Sequence, residues 1–145
     1  MATRKTRKDP DLIEASFEVP FTYSVRFTHD VFGEANTALK DALAPSREGQ
    51  KPRMLLVADS NVVQKTPGLG KKIGHYVKVH GIELAGPAVI VPGGERSKAD
   101  SGRMTWQVID AALKAHLDRQ SYVVAMGGGA VLDAVGFAAA VLHRG

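Results

Sequence analysis

The chain has 145 residues, of which 44% are hydrophobic and 23% charged, with a formal net charge of +4 and no cysteine. That length suits one domain with a substantial core, and the lack of cysteine excludes disulfides and thiolate metal sites while fitting a cytoplasmic protein. No run reaches the ~20 apolar residues of a membrane helix, and the basic opening MATRKTRKDPDL lacks the apolar segment of a secretory signal.

Residues 1–12 carry Arg4, Lys5, Arg7 and Lys8 and read as a disordered, solvated tail. The remainder, 13–145, is then nearly charge-balanced, and no basic stripe interleaved with aromatics supports a nucleic-acid partner. Over residues 17–27, Phe17, Val19, Phe21, Tyr23, Val25 and Phe27 alternate with Glu18, Pro20, Thr22, Ser24 and Arg26. Period two predicts a half-buried strand, with Pro20, which has no N–H to donate, at an edge or bulge. A short helix over 36–43 and a charged, turn-rich loop over 44–53 follow.

Beyond the loop, strand and helix patterns alternate. RMLLVAD (53–59) is a buried strand closed by Asp59, and 60–81 read as a loop followed by a helix ending near Gly81. AVIVPGGE (88–95) is a second buried strand with a glycine turn. Residues 101–117 place Ile109, Ala112, Leu113, His116 and Leu117 on a helical stripe. SYVVAMG (121–127) is a third strand, and AVLDAVGFAAAVLH (130–143) is apolar on nearly every side, as a buried helix is. The pattern predicts a Rossmann-like α/β fold: a mainly parallel sheet with helices on both faces.

In such a sheet, ligands bind beyond the carboxyl ends of the strands. Three loops fall there: Asp59-Ser60-Asn61, PGGERSK (92–98) and GGGAVLD (127–133). Gly127, Gly128 and Gly129 allow free choice of φ and keep side chains away from an approaching ligand. The helix behind them offers unpaired N–H groups and its positive dipole end to a pyrophosphate; the same triplet also suits a tight turn with no ligand. Asp133, one turn into the apolar helix, is costly to bury without a partner. It takes either the helix's own first N–H groups or a ligand hydroxyl or amide. Glu95 and Lys98 form either a surface pair or a ribose clamp, and Asp59 either caps the next helix or accepts from a ribose.

The common dinucleotide fingerprint fails because Leu132 stands where its last glycine belongs, and the P-loop fails at Lys65 and after Lys71. None of His29, His75, His80, His116 and His143 forms an i,i+4 metal pair.

Taken together, Asp59-Ser60-Asn61, PGGERSK and VVAMGGGAVLDAVGFAAAVLHRG resemble the 3-dehydroquinate synthase superfamily, the sugar phosphate cyclases, over nearly the whole chain after the tail. In that family the first half of the chain is an α/β domain that binds NAD. The resemblance implies that Asp59 and Asn61 contact the adenosine end of NAD, with Gly94, Glu95 and Lys98 as further cofactor contacts. Gly128, Gly129 and Ala130 would form the pyrophosphate turn with Val131 beside it, and Asp133 would lie near the nicotinamide half. Arg144 would bind an anionic group of the substrate, since a guanidinium fork suits phosphate.

The implied activity is a lyase acting on a sugar phosphate, commonly as a homodimer. It oxidises a hydroxyl with NAD, eliminates phosphate, returns the hydride and closes a carbocycle by an aldol step. The ligands for its divalent metal, Zn or Co, belong to a helical C-terminal domain that would lie beyond Gly145. The chain is therefore expected to be the cofactor-binding part and not to complete the reaction alone. Leu132 replaces the family's usual glycine and Ala130 a more common valine, which implies a divergent branch. Iron-type alcohol and glycerol dehydrogenases share G-G-G-x-x-x-D but usually continue D-x-A-K, whereas this chain continues Asp133-Ala134-Val135-Gly136-Phe137. A non-catalytic nucleotide-binding module is the alternative from another class.

Overall fold

The computed structural model describes residues 16, 18, 20, 22–43, 49–94 and 101–142. The central strand, β1 (Arg53–Asp59), is buried from Met54 to Asp59. Successive side chains of a strand point to opposite faces, and this run is apolar on both, which suits the middle of a sheet covered on two sides. Met54 and Leu56 enter one core, while Leu55 and Val57 enter another.

β2 (Glu83–Leu84), β3 (Val89–Val91) and β4 (Tyr122–Met126) all pair parallel with β1. Met54 faces both Leu84 and Tyr122, and Ala58 faces both Ile90 and Met126, so β2 and β3 follow one edge of β1 and β4 the other. Five helices are described: α1 (Ala38–Ala42), α2 (Ser60–Lys65), α3 (Leu69–Val79), α4 (Ser101–Lys114) and α5 (Gly129–Val141). α3 packs Leu69, Ile73, Tyr76 and Val77 with Phe32 and Leu43 against Met54 and Leu56. On the opposite face, Met104, Val108 and Ala112 of α4 join Val131, Ala134, Val135 and Ala138 of α5 over Leu55 and Val57. These sets recur at helical spacing, and helices cover both faces, as the sequence pattern requires.

Tyr76 ties the segment before β1 to α3. It is fully buried; its hydroxyl donates to the Asn36 carbonyl at 2.9 Å and accepts the Lys40 N–H at 3.2 Å, while Phe32 meets its ring edge-on. Tyr76→Phe leaves both backbone groups without this partner and is expected to cost about 1–3 kcal/mol in urea unfolding.

The turn into β4 is built on Asp118, whose Oδ1 accepts the Ser121 hydroxyl at 2.7 Å and the Gln120 N–H at 3.0 Å. These two bonds, the hydroxyl first, hold the Asp118 carboxyl below its ordinary value of 3.8. A folded value below the unfolded one adds stability above the unfolded pKa, and that contribution disappears as pH falls through the lowered folded value. Asp118→Ala is therefore expected to be less stable than the parent at neutral pH, with the gap closing as pH falls below the ordinary carboxyl value of 3.8 and through the lowered folded one. Denaturant unfolding across this range measures it.

Several elements differ from the sequence expectation. Residues 60–65 form a short helix rather than a loop, because Asp59 caps it by accepting the Asn61 N–H at 2.7 Å. β2 was not anticipated; its two residues are exposed and carry no burial pattern. α4 ends at Lys114, and its buried stripe is Met104, Val108 and Ala112, with Leu113 58% exposed on the other side. α5 is not buried all round: Leu132, Phe137 and Val141 are exposed among the described residues although the helix is apolar on nearly every side.

Residues 22–28 carry no strand, and Tyr23, Val25 and Phe27 are exposed. A strand needs a neighbour for its ladder and a surface under its apolar face, and this segment has neither among the described residues. Phe17, Val19, Phe21 and the 1–12 tail lie outside those residues. No described helix is long and apolar enough to cross a membrane.

Candidate functional site at the carboxyl edge of the sheet

Because the strands are parallel, their carboxyl ends share one edge. Asp59 lies opposite Val91, and Ala58 lies opposite Met126. The chain leaves β3 through Pro92-Gly93-Gly94 and β4 through Gly127-Gly128-Gly129, so two glycine-rich turns flank Asp59.

Asp59 is 6% exposed. A Cβ at position 93 would overlap its carboxylate outright, and one at position 127 would lie 3.1 Å from the Asp59 Cβ and 3.0 Å from the Val131 Cβ. Two glycines thus close over one buried carboxylate because a side chain does not fit at either. Gly94, at φ +70°, occupies the left-handed region that side chains rarely adopt.

Gly128 and Gly129 stand in different surroundings. Both are exposed, and a Cβ on either would meet nothing within 4 Å. Gly127, Gly128 and Gly129 are all outside the positive-φ region, so the triplet is not there for left-handed backbone. The structural reason divides: Gly127 permits close packing, and Gly128 and Gly129 leave the edge open. Gly128 caps the 13-residue helix α5 without a side-chain bond, and its carbonyl accepts the Val131 and Leu132 N–H groups at 3.0 and 3.1 Å. The first turn of a helix leaves N–H groups with no intrahelical acceptor, and the positive dipole end lies there. The arrangement suits an anion approaching over Gly128, Gly129 and the half-buried Ala130.

The remaining residues singled out in the sequence fall as follows. Asn61 is exposed at the start of α2, beside Asp59. Asp133 is exposed, not buried, one turn into α5. The apolar composition of α5 suggested burial, but only the face carrying Val131, Ala134, Val135 and Ala138 is packed. The Val131 side chain belongs to that core and its N–H bonds to the Gly128 carbonyl, so it supports the turn from beneath. Glu95, Lys98 and Arg144 lie outside the described residues. The edge therefore brings together Asp59, Asn61, Gly94, Gly128, Gly129 and Ala130, with Asp133 close behind.

Sequence reasoning missed the fit of Gly93 and Gly127 around Asp59. The available signal was a glycine within two residues of the end of each flanking strand, although the register that brings them against Asp59 was not written in it. Among the described residues, no group of three or more His, Asp or Glu is placed to hold a metal.

Residues 88–145 match the family model for the 3-dehydroquinate synthase N-terminal region. A 3-dehydroquinate synthase from Symbiobacterium thermophilum is 42% identical over 93 residues, which is 64% of this chain and 24% of that protein. One from Salinibacter ruber is 41% identical over 98 residues, or 64% of this chain and 23% of that protein. The chain thus spans about a quarter of the length of these relatives. Among solved structures, the 2-epi-5-epi-valiolone synthase of Streptomyces hygroscopicus subsp. jinggangensis, with NAD+ and Zn2+ bound, superposes with a TM-score of 0.71 at 28% identity. That match covers 90% of this chain and 32% of the synthase.

Proposed function

We propose, because the chain belongs to the 3-dehydroquinate synthase superfamily, that residues 13–145 are the NAD-binding part of a sugar phosphate cyclase. The observation that carries this reading is the open backbone at Gly128 and Gly129, set at the start of α5 on the carboxyl edge of the sheet. A pyrophosphate laid there takes helix N–H groups with no side chain in its way. A dinucleotide so placed extends its adenosine half towards Asp59, Asn61 and Gly94, joined by Glu95 and Lys98. Its nicotinamide half runs towards Asp133. The buried Asp59 acts by fixing the α2 turn and Asn61, while the exposed Asp133 is available to a ligand hydroxyl or amide.

NAD supplies the transient oxidation that lets a sugar phosphate lose its phosphate before the hydride returns and an aldol step closes the ring. In this reading Arg144 holds an anionic group of that substrate. A divalent metal, Zn or Co, acts with residues outside this set in the whole protein, which works as a homodimer in the cytoplasm. The Leu132 side chain, 46% exposed beside the cofactor turn, narrows the space there and marks a branch with its own product.

Asp133→Ala tests the assignment without disturbing the fold, since the carboxylate is exposed. A hydrogen bond to a charged group contributes about 1.5–3 kcal/mol, so NAD affinity is expected to fall roughly tenfold to a hundredfold. Calorimetric titration with NAD measures this, and unchanged affinity would remove Asp133 from the site. Phosphate release from candidate sugar phosphates, with NAD and a divalent metal, then tests the reaction in the whole protein.

A further inference from the structure

A cavity of about 410 Å³ lies between residues 85–90 and α4. It sits beside the start of β3, whereas the glycine turn at Gly93 and Gly94 follows the end of that strand. Small-molecule sites are typically about 300–1,000 Å³, mostly apolar, with a few placed polar groups.

The floor is Leu55 and Val89, both core residues. The opposite wall is Gln107 and Ala111 of α4 with Ala115 just beyond it, spaced by four and therefore on one helix face. The two walls approach each other at either end. The Gln107 amide donates to the Ile90 carbonyl at 3.2 Å. At the other end, a Cβ added at Gly86 would lie 3.8 Å from the Ala115 Cβ, an ordinary contact. Ala111 stands between these two closures, and its methyl group leaves the space unfilled. Close-packed interiors hold few such spaces.

Asp110 and Lys114 also border the cavity, from the same side of α4. The Lys114 ammonium donates to the Asp110 carboxylate at 2.7 Å, and the two side chains are 76% and 62% exposed. An exposed pair at this spacing contributes little, so either charge can take a new partner at small cost.

We propose that this cavity binds a free aliphatic α-amino acid. Charge complementarity selects the class. Asp110 repels a simple anion and Lys114 a simple cation. A zwitterion sets its carboxylate on Lys114 and its ammonium on Asp110, making two charge-assisted contacts. An α-amino acid carries both charges on one carbon centre, close together as they are on this rim. Its side chain then enters the cavity, where the apolar lining, including Leu55, Ala85, Val89 and Ala111, is aliphatic. The proposal does not depend on the cofactor reading, because the cavity and the carboxyl edge share no residue.

Calorimetric titration of the full chain with L-leucine is expected to show saturable binding at one site. Leucinamide lacks the carboxylate and isocaproate lacks the ammonium, and each is expected to bind at least about tenfold more weakly. Lys114→Gln should weaken leucine about tenfold and leave leucinamide unchanged. Ala111→Leu fills the cavity and should abolish leucine binding in a chain that melts at or above the parent temperature. Should that variant fail to fold, the exposed Lys114→Gln decides the matter alone. No saturable leucine binding by the parent chain would overturn the proposal. Equal binding of leucine and both analogues would also overturn it, leaving a groove that takes any apolar group. Full leucine affinity in Lys114→Gln would place the ligand elsewhere and overturn it too.

Discussion

Replacing Gly93 with alanine is expected to destabilise the chain by about 2–4 kcal/mol, a large effect for one methyl group. The added Cβ would occupy the space of the Asp59 carboxylate. That carboxylate is buried and bonded to the Asn61 N–H at 2.7 Å, so it cannot move aside without losing the cap of α2. Overpacking a tight site costs about 1–3 kcal/mol, and losing a charge-assisted bond about 1.5–3 kcal/mol. Urea unfolding of Gly93→Ala gives the first number. The double variant Gly93→Ala with Asp59→Ala tests the cause: removing the carboxylate frees the space, so the two changes should cost less together than in sum. Strict additivity would mean that Gly93 matters for some other reason.

Gly128→Val should behave in the opposite way. Its Cβ enters open space, so the fold tolerates it. A β-branched residue is a poor helix cap, and the expected loss of stability is about 1 kcal/mol or less. The effect should appear in NAD binding, where the valine stands in the path of the pyrophosphate over the α5 N-terminus. Affinity is expected to fall by about a hundredfold or more, since a clash and the loss of helix N–H contacts act together. Calorimetry with NAD, alongside a thermal melt, separates the two readouts. An unfolded Gly128→Val would contradict the open space seen at the turn, and a folded variant with full affinity would contradict the cofactor placement.

Gly93 and Gly128 also mark the limits of reading the site from sequence. The strands at 53–59, 89–91 and 122–126 were legible because they are short apolar runs ended by Asp59, Pro92-Gly93 and Gly127. Their alternation with helices gave the parallel sheet, and the parallel sheet gave the edge where a ligand belongs. A glycine looks the same in sequence whether it makes room for a protein group or for a ligand. Only the register across β1, with Asp59 beside Val91 and Ala58 beside Met126, separates Gly93 and Gly127 from Gly128 and Gly129.

Asp133 was misjudged for a related reason. The apolar composition of α5 indicates a helix that avoids water, and the exposed face depends on what packs against it. The same holds for residues 22–28, where a period-two pattern identifies one apolar face without supplying its neighbour. The helix at 60–65 was missed because Asp59 has two possible roles in sequence, cap or ligand contact, and in the structure it caps the helix.

The most direct test of the central claim is a residue-resolved NMR titration of the 15N-labelled chain with NAD. Saturable shifts are predicted at Asn61, Gly94 and the amides from Gly128 to Asp133, with little change at the opposite end of the sheet near Arg53 and Asp118. No saturable shifts, or shifts centred on the separate cavity between residues 85–90 and α4, would contradict a cofactor site at the carboxyl edge.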